Sequence, residues 1–227
     1  MSGRGRRVAL VLRPEPGNSR TADRLRRAGL DARQLPLFAT AALDWTPPDP
    51  ARYDALLVTS GNAVRRAGAG LDRLRTLPTV AIGEATAAAA REAGLDVRLV
   101  GSGNADEAAS RARAAGLLRL LHLAAREAVV LPGIDAVPVY ASEALPVAAG
   151  VLAREAGATV LLHSPRAAAR FAELVGRDGL KREDWRLAAF SPAVAAVAGP
   201  GWRQVLVAPV PTDAALIAAM DMVAGTD

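Results

Sequence analysis

At 227 residues, 51% of them apolar, the chain can bury one large core or two smaller ones and is too apolar to stay unfolded. It has no cysteine and two histidines, His122 and His163, which excludes disulfides and thiolate chemistry, argues against a zinc site and fits a reducing compartment. The net charge of +5 is carried by arginine, Lys181 being the sole lysine. The arginines are scattered among acids with few aromatics between them, so the charge favours anionic ligands at long range without forming a nucleic-acid face.

The start is basic at Arg4-Gly-Arg-Arg7, but only Val8 to Leu12 follows before Arg13. That is too short for the apolar segment of a signal peptide, and no run approaches the roughly 18 apolar residues that span a membrane. A soluble cytoplasmic protein with no membrane partner is expected.

Taken in order, Val8 to Leu12 is a buried strand, Arg13 to Asn18 a loop of turn residues, and Asn18 or Ser19 the cap of a helix that Gly29 ends. Arg33 to Ala39 is extended, and Thr46-Pro-Pro-Asp-Pro50 is a rigid linker or turn. Leu56 to Val58 has the pattern of a strand buried on both faces; Thr59, Ser60, Gly61 and Asn62 follow as a small polar turn before a helix. The next strands are Leu77 to Ile82, ending at Gly83-Glu-Ala-Thr86, and Asp96 to Val100, ending at Gly101-Ser-Gly103-Asn before another helix.

Leu117 to Leu123 reads as a strand with Ala124 at its tip, although a buried helix would fit the same leucines. Ala124 to Pro132 leaves room for barely two turns of helix before an extended segment, Asp135 to Ser142. A helix from about Pro146 to Glu155 comes next. The strand and turn ending in His163-Ser164-Pro165-Arg166 then repeats the Val58 to Asn62 pattern. Leu187 to Phe190 leads into Ser191-Pro192, and Val205 to Ala208 into Pro211, with Thr212 or Asp213 capping the last helix.

The strand tips fall into two sets. Ser60, Gly83, Gly103 and Ala124 lie in the middle of the chain; Ser164, Ser191 and Pro211 lie near its end, and Arg13 completes the second set. The simplest account is an α/β protein of two similar parallel-sheet domains, one inserted in the other. The outer domain is 1–35 plus 143–227 and the inserted domain 41–136. Segments 36–40 and 137–142 are crossing strands, able to pair as a short antiparallel ladder and to act as a hinge. Ligands on open parallel sheets bind beyond the carboxyl ends of the strands, so the tips are expected to share one cleft.

The tips lack the usual catalytic equipment. There is no Gly-x-Ser-x-Gly elbow and no P-loop, and Gly101-Ser-Gly103 lacks the third glycine of a dinucleotide fingerprint. What they offer is Ser, Thr, Gly and Asn beside helix starts, with Arg13, Arg126 and Arg166 nearby, a set suited to holding carboxylates. Each candidate also has a structural explanation. Ser60, Ser164 and Ser191 suit helix caps, Gly83 a turn, Asn62 a bond to its own backbone, Tyr140 linker packing, and both histidines the core. Arg13, directly after a buried strand, is the charged group that most invites a functional role.

The ordered set Arg13-Pro14-Glu15-Pro16, Thr59-Ser60-Gly61-Asn62-Ala63-Val64, Ile82-Gly83-Glu84-Ala85-Thr86-Ala87, Val139-Tyr140, His163-Ser164-Pro165-Arg166 and Phe190-Ser191-Pro192-Ala193-Val194 resembles uroporphyrinogen-III synthase over nearly the whole chain. The resemblance implies two flavodoxin-like domains joined by a two-stranded β linker, and a lyase of porphyrin and heme biosynthesis that needs no cofactor. Its substrate is hydroxymethylbilane, a flexible linear tetrapyrrole with acetate and propionate groups. Loss of the terminal hydroxyl gives an azafulvene cation, and a spiro intermediate then recloses with the last ring inverted.

It further implies a monomer, with Tyr140, matching the family's linker tyrosine, as the donor near the departing hydroxyl. Arg13, Ser60, Gly61, Asn62, Gly83, Thr86, Gly103, Ser164 and Ser191 become substrate-binding candidates, with no metal ligand among them. A glycine frequent in the family near Ala124 or Ala125 is absent. The rival expectation is a non-catalytic two-domain sensor of a small anion.

Overall fold

The computed structural model describes residues 8–223, so the basic Arg4 to Arg7 stretch lies outside the described residues. The chain divides into two compact units. One comprises the residues through Ala39 together with those from Ala144 onward, and the other is Thr40–Glu143.

The outer unit is built on five parallel strands: β1 (Val8–Val11), β2 (Asp31–Gln34), β9 (Thr159–Leu162), β10 (Arg186–Ala189) and β11 (Gln204–Val207). They lie in the order β2-β1-β9-β10-β11, the doubly wound flavodoxin-like order. Strand alternation explains why β1 is apolar throughout. Leu10 and Leu12 point into a cluster with Phe171, Leu174 and Trp185, whereas Ala9 and Val11 point into one with Ala22, Leu25 and Leu216. Helices α5 (Pro165–Arg177) and α6 (Pro192–Ala198) cover the first face. Helices α1 (Gly17–Arg27) and α7 (Asp213–Val223) cover the second.

The inner unit holds β4 (Ala55–Val58), β5 (Thr79–Ala81), β6 (Val97–Val100), β7 (Leu120–Ala125) and β8 (Asp135–Ala144), parallel and ordered β6-β5-β4-β7-β8. Its two faces alternate in the same way. Leu56 and Val58 pack with Ala63, Val64 and Ala90 of α2 (Gly61–Arg66) and α3 (Glu84–Glu92), and Ala55 and Leu57 pack with Ala108 and Ala112 of α4 (Ala105–Ala114). If the outer unit is read as starting at β9, the two sheets have the same spatial order. Residues Ser60 and Ser164, Gly83 and Ser191, and Ala124 and Arg13 then stand at equivalent strand ends.

A strand β3 (Phe38–Ala42) lies beside β8 at the edge of the inner sheet. The amide of Leu43 bonds to Val139 O and that of Leu145 to Leu37 O, so one number rises as the other falls and the pair is antiparallel.

Five local expectations change. Arg33 to Ala39 is not one extended run: Pro36 separates β2, in the outer sheet, from β3. The first helix starts at Gly17, after Pro16, so neither Asn18 nor Ser19 caps it. The strand at Leu117 to Leu123 begins later, at Leu120, because the Asp54 carboxylate takes the amides of Leu118 and Arg119 and fixes a bend there. No helix follows Ala125. Residues 126–134 make the whole crossover between adjacent parallel strands, and Leu131 and Ile134 fill the space that α1 fills in the outer unit. Pro146 to Glu155 forms only a 3₁₀ turn, Leu152–Glu155, since Gly150 takes a left-handed φ of 78° and breaks the run.

Asn18 has a different task. It is fully buried, and its Nδ2 donates to Val11 O at 3.0 Å and to Arg13 O at 2.8 Å, while its Oδ1 accepts from Gln34 Nε2 at 2.8 Å. It therefore fixes the end of β1 from which Arg13 projects. Asn18→Ala leaves the Arg13 carbonyl without its donor and Val11 O with only the Leu35 amide, and is expected to lower stability by about 1–3 kcal/mol, read as a reduced urea midpoint at unchanged slope.

Candidate functional site

In each sheet the strand order reverses at one place, between β1 and β9 in the outer unit and between β4 and β7 in the inner unit. The crevice beyond the carboxyl ends at such a reversal is where doubly wound sheets bind ligands.

At the outer reversal a buried carboxylate organises the site. Asp213, in the first turn of α7, has a side chain only 3% exposed. Its Oδ2 accepts from Thr21 Oγ1 at 2.8 Å and from Arg24, and its Oδ1 from His163 Nε2 at 3.1 Å and Arg13 Nη1 at 3.5 Å. Burial alone would raise this carboxyl, but bonds from His163, Thr21 and Arg24 hold it well below the usual carboxylate range. Burial pushes the His163 imidazole down despite the bond to Asp213. A carboxylate only accepts, so the neutral ring carries its proton on Nε2. The ring also meets Phe190 edge-on at 4.4 Å.

Arg13 reaches this carboxylate across the start of α1. A side chain on Gly17 would collide with the Arg13 guanidinium, which explains the glycine. Desolvation lowers the Arg13 pKa, and Asp213 opposes that shift. One carboxylate faces two guanidiniums, leaving a cationic surplus at a rim where Arg13 is one-third exposed. That is a fit for an anionic ligand.

Among the described residues, the inner reversal has no counterpart of the buried carboxylate and its paired arginines. Ala124 and Ala125 stand where the outer unit has Arg13. Arg126 is held by Glu143 at 2.8 Å and Glu127 at 3.2 Å. Thr59 Oγ1 lies 2.8 Å from Nε2 of His122, which is buried in β7.

Each candidate from the sequence has a definite place. The hydroxyls of Ser60, Ser164 and Ser191 accept from the amides of Asn62, Ala167 and Val194, so all three are helix caps, and each keeps its own proton to donate. Gly61 lets α2 approach α3, since a Cβ there would lie 3.0 Å from Ala89 Cβ. Asn62 accepts from Arg65 at 2.9 Å rather than bonding its own backbone.

Gly83 is extended and sits against Gly103, whose φ of 108° requires glycine. Thr86 is buried in the first turn of α3. The Arg166 guanidinium lies 4.7 Å above the Phe38 ring. Tyr140, on β8, is 8% exposed among Leu121, Leu123 and Val139. Thr212 is the residue whose hydroxyl receives an amide of the last helix, from Ala215, which leaves Asp213 free for the network. Sequence reasoning missed Asp213 and Thr21 as partners of Arg13, and Arg24 as the second cation on Asp213. The only signal was an acid just beyond Thr212, readable equally as a cap.

The family model described as uroporphyrinogen-III synthase HemD matches residues 19–218. The chain belongs to the uroporphyrinogen-III synthase family. Its reaction is the family's, the cyclisation of hydroxymethylbilane to uroporphyrinogen III, and the sensor alternative is not supported. Among solved structures, the chain is similar to the uroporphyrinogen-III synthetase of Helicobacter pylori, with a TM-score of 0.64 and 15% identity over 98% of this chain and 100% of that one. It is also similar to a mutant uroporphyrinogen III synthase of Thermus thermophilus, with a TM-score of 0.57 and 15% identity over 97% and 100%. No curated protein matches the sequence. No helix among the described residues is long and apolar enough to cross a membrane, and no group of three or more His, Asp or Glu residues among them is placed to hold a metal ion.

Asp213→Asn leaves Arg13 and Arg24 without their anion and should cost about 3–5 kcal/mol at pH 7. The carboxyl is depressed in the folded state, so below its ordinary value of 3.8 the unfolded chain binds protons first and the wild type loses this advantage. The gap between mutant and wild type, followed by urea unfolding, is expected to be full above that pH and to narrow below it.

Proposed function

We propose that the strand-end residues of both units hold the carboxylates of the linear tetrapyrrole while Tyr140 assists departure of its terminal hydroxyl. The observation that carries this reading is the repeated placement of donors. Directly beyond the strand at each reversal stands a cap serine, Ser60 after β4 and Ser164 after β9, with Arg13 beside the second.

The chemistry needs little more. The pyrrole electrons break the carbon–oxygen bond, the hydroxyl leaves as water once it gains a proton, and the resulting azafulvene cation is attacked by the substituted carbon of the last ring. The protein's share is to impose the conformation in which that carbon, and not its unsubstituted neighbour, meets the cation. Guanidinium, hydroxyl and amide donors suit that task because they grip carboxylates without competing for the electrophile.

In this reading Arg13, Ser164 and Ser191 serve the outer rim, and Ser60, Gly61, Asn62, Gly83, Thr86 and Gly103 the inner rim. The Tyr140 hydroxyl donates toward the leaving oxygen. The same reading makes the protein a cytoplasmic monomer that acts on a small molecule, without nucleic acid, membrane or cofactor.

Purified protein mixed with freshly made hydroxymethylbilane should give the inverted isomer III, resolved from isomer I after oxidation. Tyr140→Phe keeps the ring in its apolar setting and should lower turnover to isomer III about 10²-fold. Turnover near the wild-type rate would remove Tyr140 from the mechanism.

A further inference from the structure

The inner reversal contains a polar pair for which the fold alone gives no reason. His122 is the one polar side chain of β7. It is 2% exposed, on the strand face that also carries Leu57, beneath α4 and the Leu131 to Ile134 loop. Its Nε2 lies 2.8 Å from Thr59 Oγ1, and its Nδ1 is buried with no partner.

Burial lowers the imidazole's pKa, so the ring is neutral, with one N–H and one bare nitrogen. Two arrangements are open. A proton on Nδ1 would bury a donor against aliphatic carbon with nothing to receive it. A proton on Nε2 leaves only a lone pair bare there, and unmet lone pairs are tolerated better than unmet N–H groups. The second arrangement therefore holds. His122 donates, and Thr59 Oγ1 accepts.

That assignment fixes what Thr59 can do. Its hydroxyl has one proton of its own, and among the described residues it has no other hydrogen-bond partner. Thr59 is half-buried, one residue past Val58, at the mouth of the inner reversal. We propose that Thr59 is a substrate-binding residue of the inner rim, its hydroxyl proton turned outward by His122 to donate to a carboxylate of the tetrapyrrole.

His122 is then a positioning residue. The outer sheet has the same device at the equivalent place, where His163 follows β9 by one residue and is oriented by buried Asp213. The inference rests on the reading of the strand ends as carboxylate-holding rims.

Steady-state kinetics of isomer III formation by the full chain test it. Thr59→Val keeps the shape and loses the hydroxyl, and should raise KM about tenfold with little change in kcat. Thr59→Ser should restore KM. His122→Leu should raise KM in the same direction, and His122→Gln, whose amide can donate from a similar point, should restore it. Adding His122→Leu to Thr59→Val should raise KM no further, because the two act through one hydrogen bond.

A wild-type KM for Thr59→Val overturns the proposal, as do increases that multiply in the double variant. Should His122→Leu fail to fold, the Thr59 variants and His122→Gln decide alone. Arg13→Ala separates the two levels. If it raises KM while Thr59→Val does not, only the present inference fails. If neither moves KM, the reading of the rims fails with it.

Discussion

The outer site depends on a carboxylate that would be ruinous in isolation. An unpaired charge in a protein interior costs several kcal/mol, and Asp213 avoids that cost only by collecting donors from three separate parts of the chain. Thr21 and Arg24 belong to α1, Arg13 follows β1 and His163 follows β9. The helix that begins with Asp213 is therefore fastened to both strands of the reversal. The same bonds hold the Arg13 guanidinium and the His163 ring in one place each. Stability and site geometry are here one set of hydrogen bonds.

The two units answer the same topological problem with different chemistry. Read in equivalent order, their sheets agree strand for strand, yet alanine in one stands where arginine stands in the other. The outer reversal carries a buried carboxylate with two guanidiniums, whereas the inner carries the His122–Thr59 pair. A flexible anionic substrate that must be held in one conformation needs one strong anchor and several weaker, more directional contacts, and uniform charge would bind it in many ways. In the proposed reading Arg13 is the strong anchor, and Thr59 and Ser60 supply weaker, directional contacts.

Much of this was legible in the residues. The apolar runs at Val8, Leu56 and Val160, each followed by polar or turn residues, marked parallel strands and their ends. Less was visible where tertiary contacts overrule local preference. Asn18 reads as a cap, but the Arg13 carbonyl just past β1 needs a donor, and Asn18 reaches both it and Val11 O. Leu117 and Leu118 read as strand, but Asp54 bends the chain there. The crossover after Ala125 has room for barely two turns of helix and forms none. The polar pairs, Asp213 with Arg13 and His122 with Thr59, join positions 200 and 63 residues apart, and no local pattern announces such partners.

The β3–β8 ladder has a consequence for how the protein is made. The central strands of the outer sheet, β1 and β9, are neighbours in space, with Ala9 opposite Thr159, although the whole inner unit intervenes in sequence. Closing so long a loop in an unfolded chain carries a large entropic penalty and slows assembly. Once the inner unit has folded and joined Leu37 to Leu145, that loop is shortened to a clasp. Synthesis completes the insert before β9 leaves the ribosome, so the order of translation favours the inner unit folding first and templating the outer one.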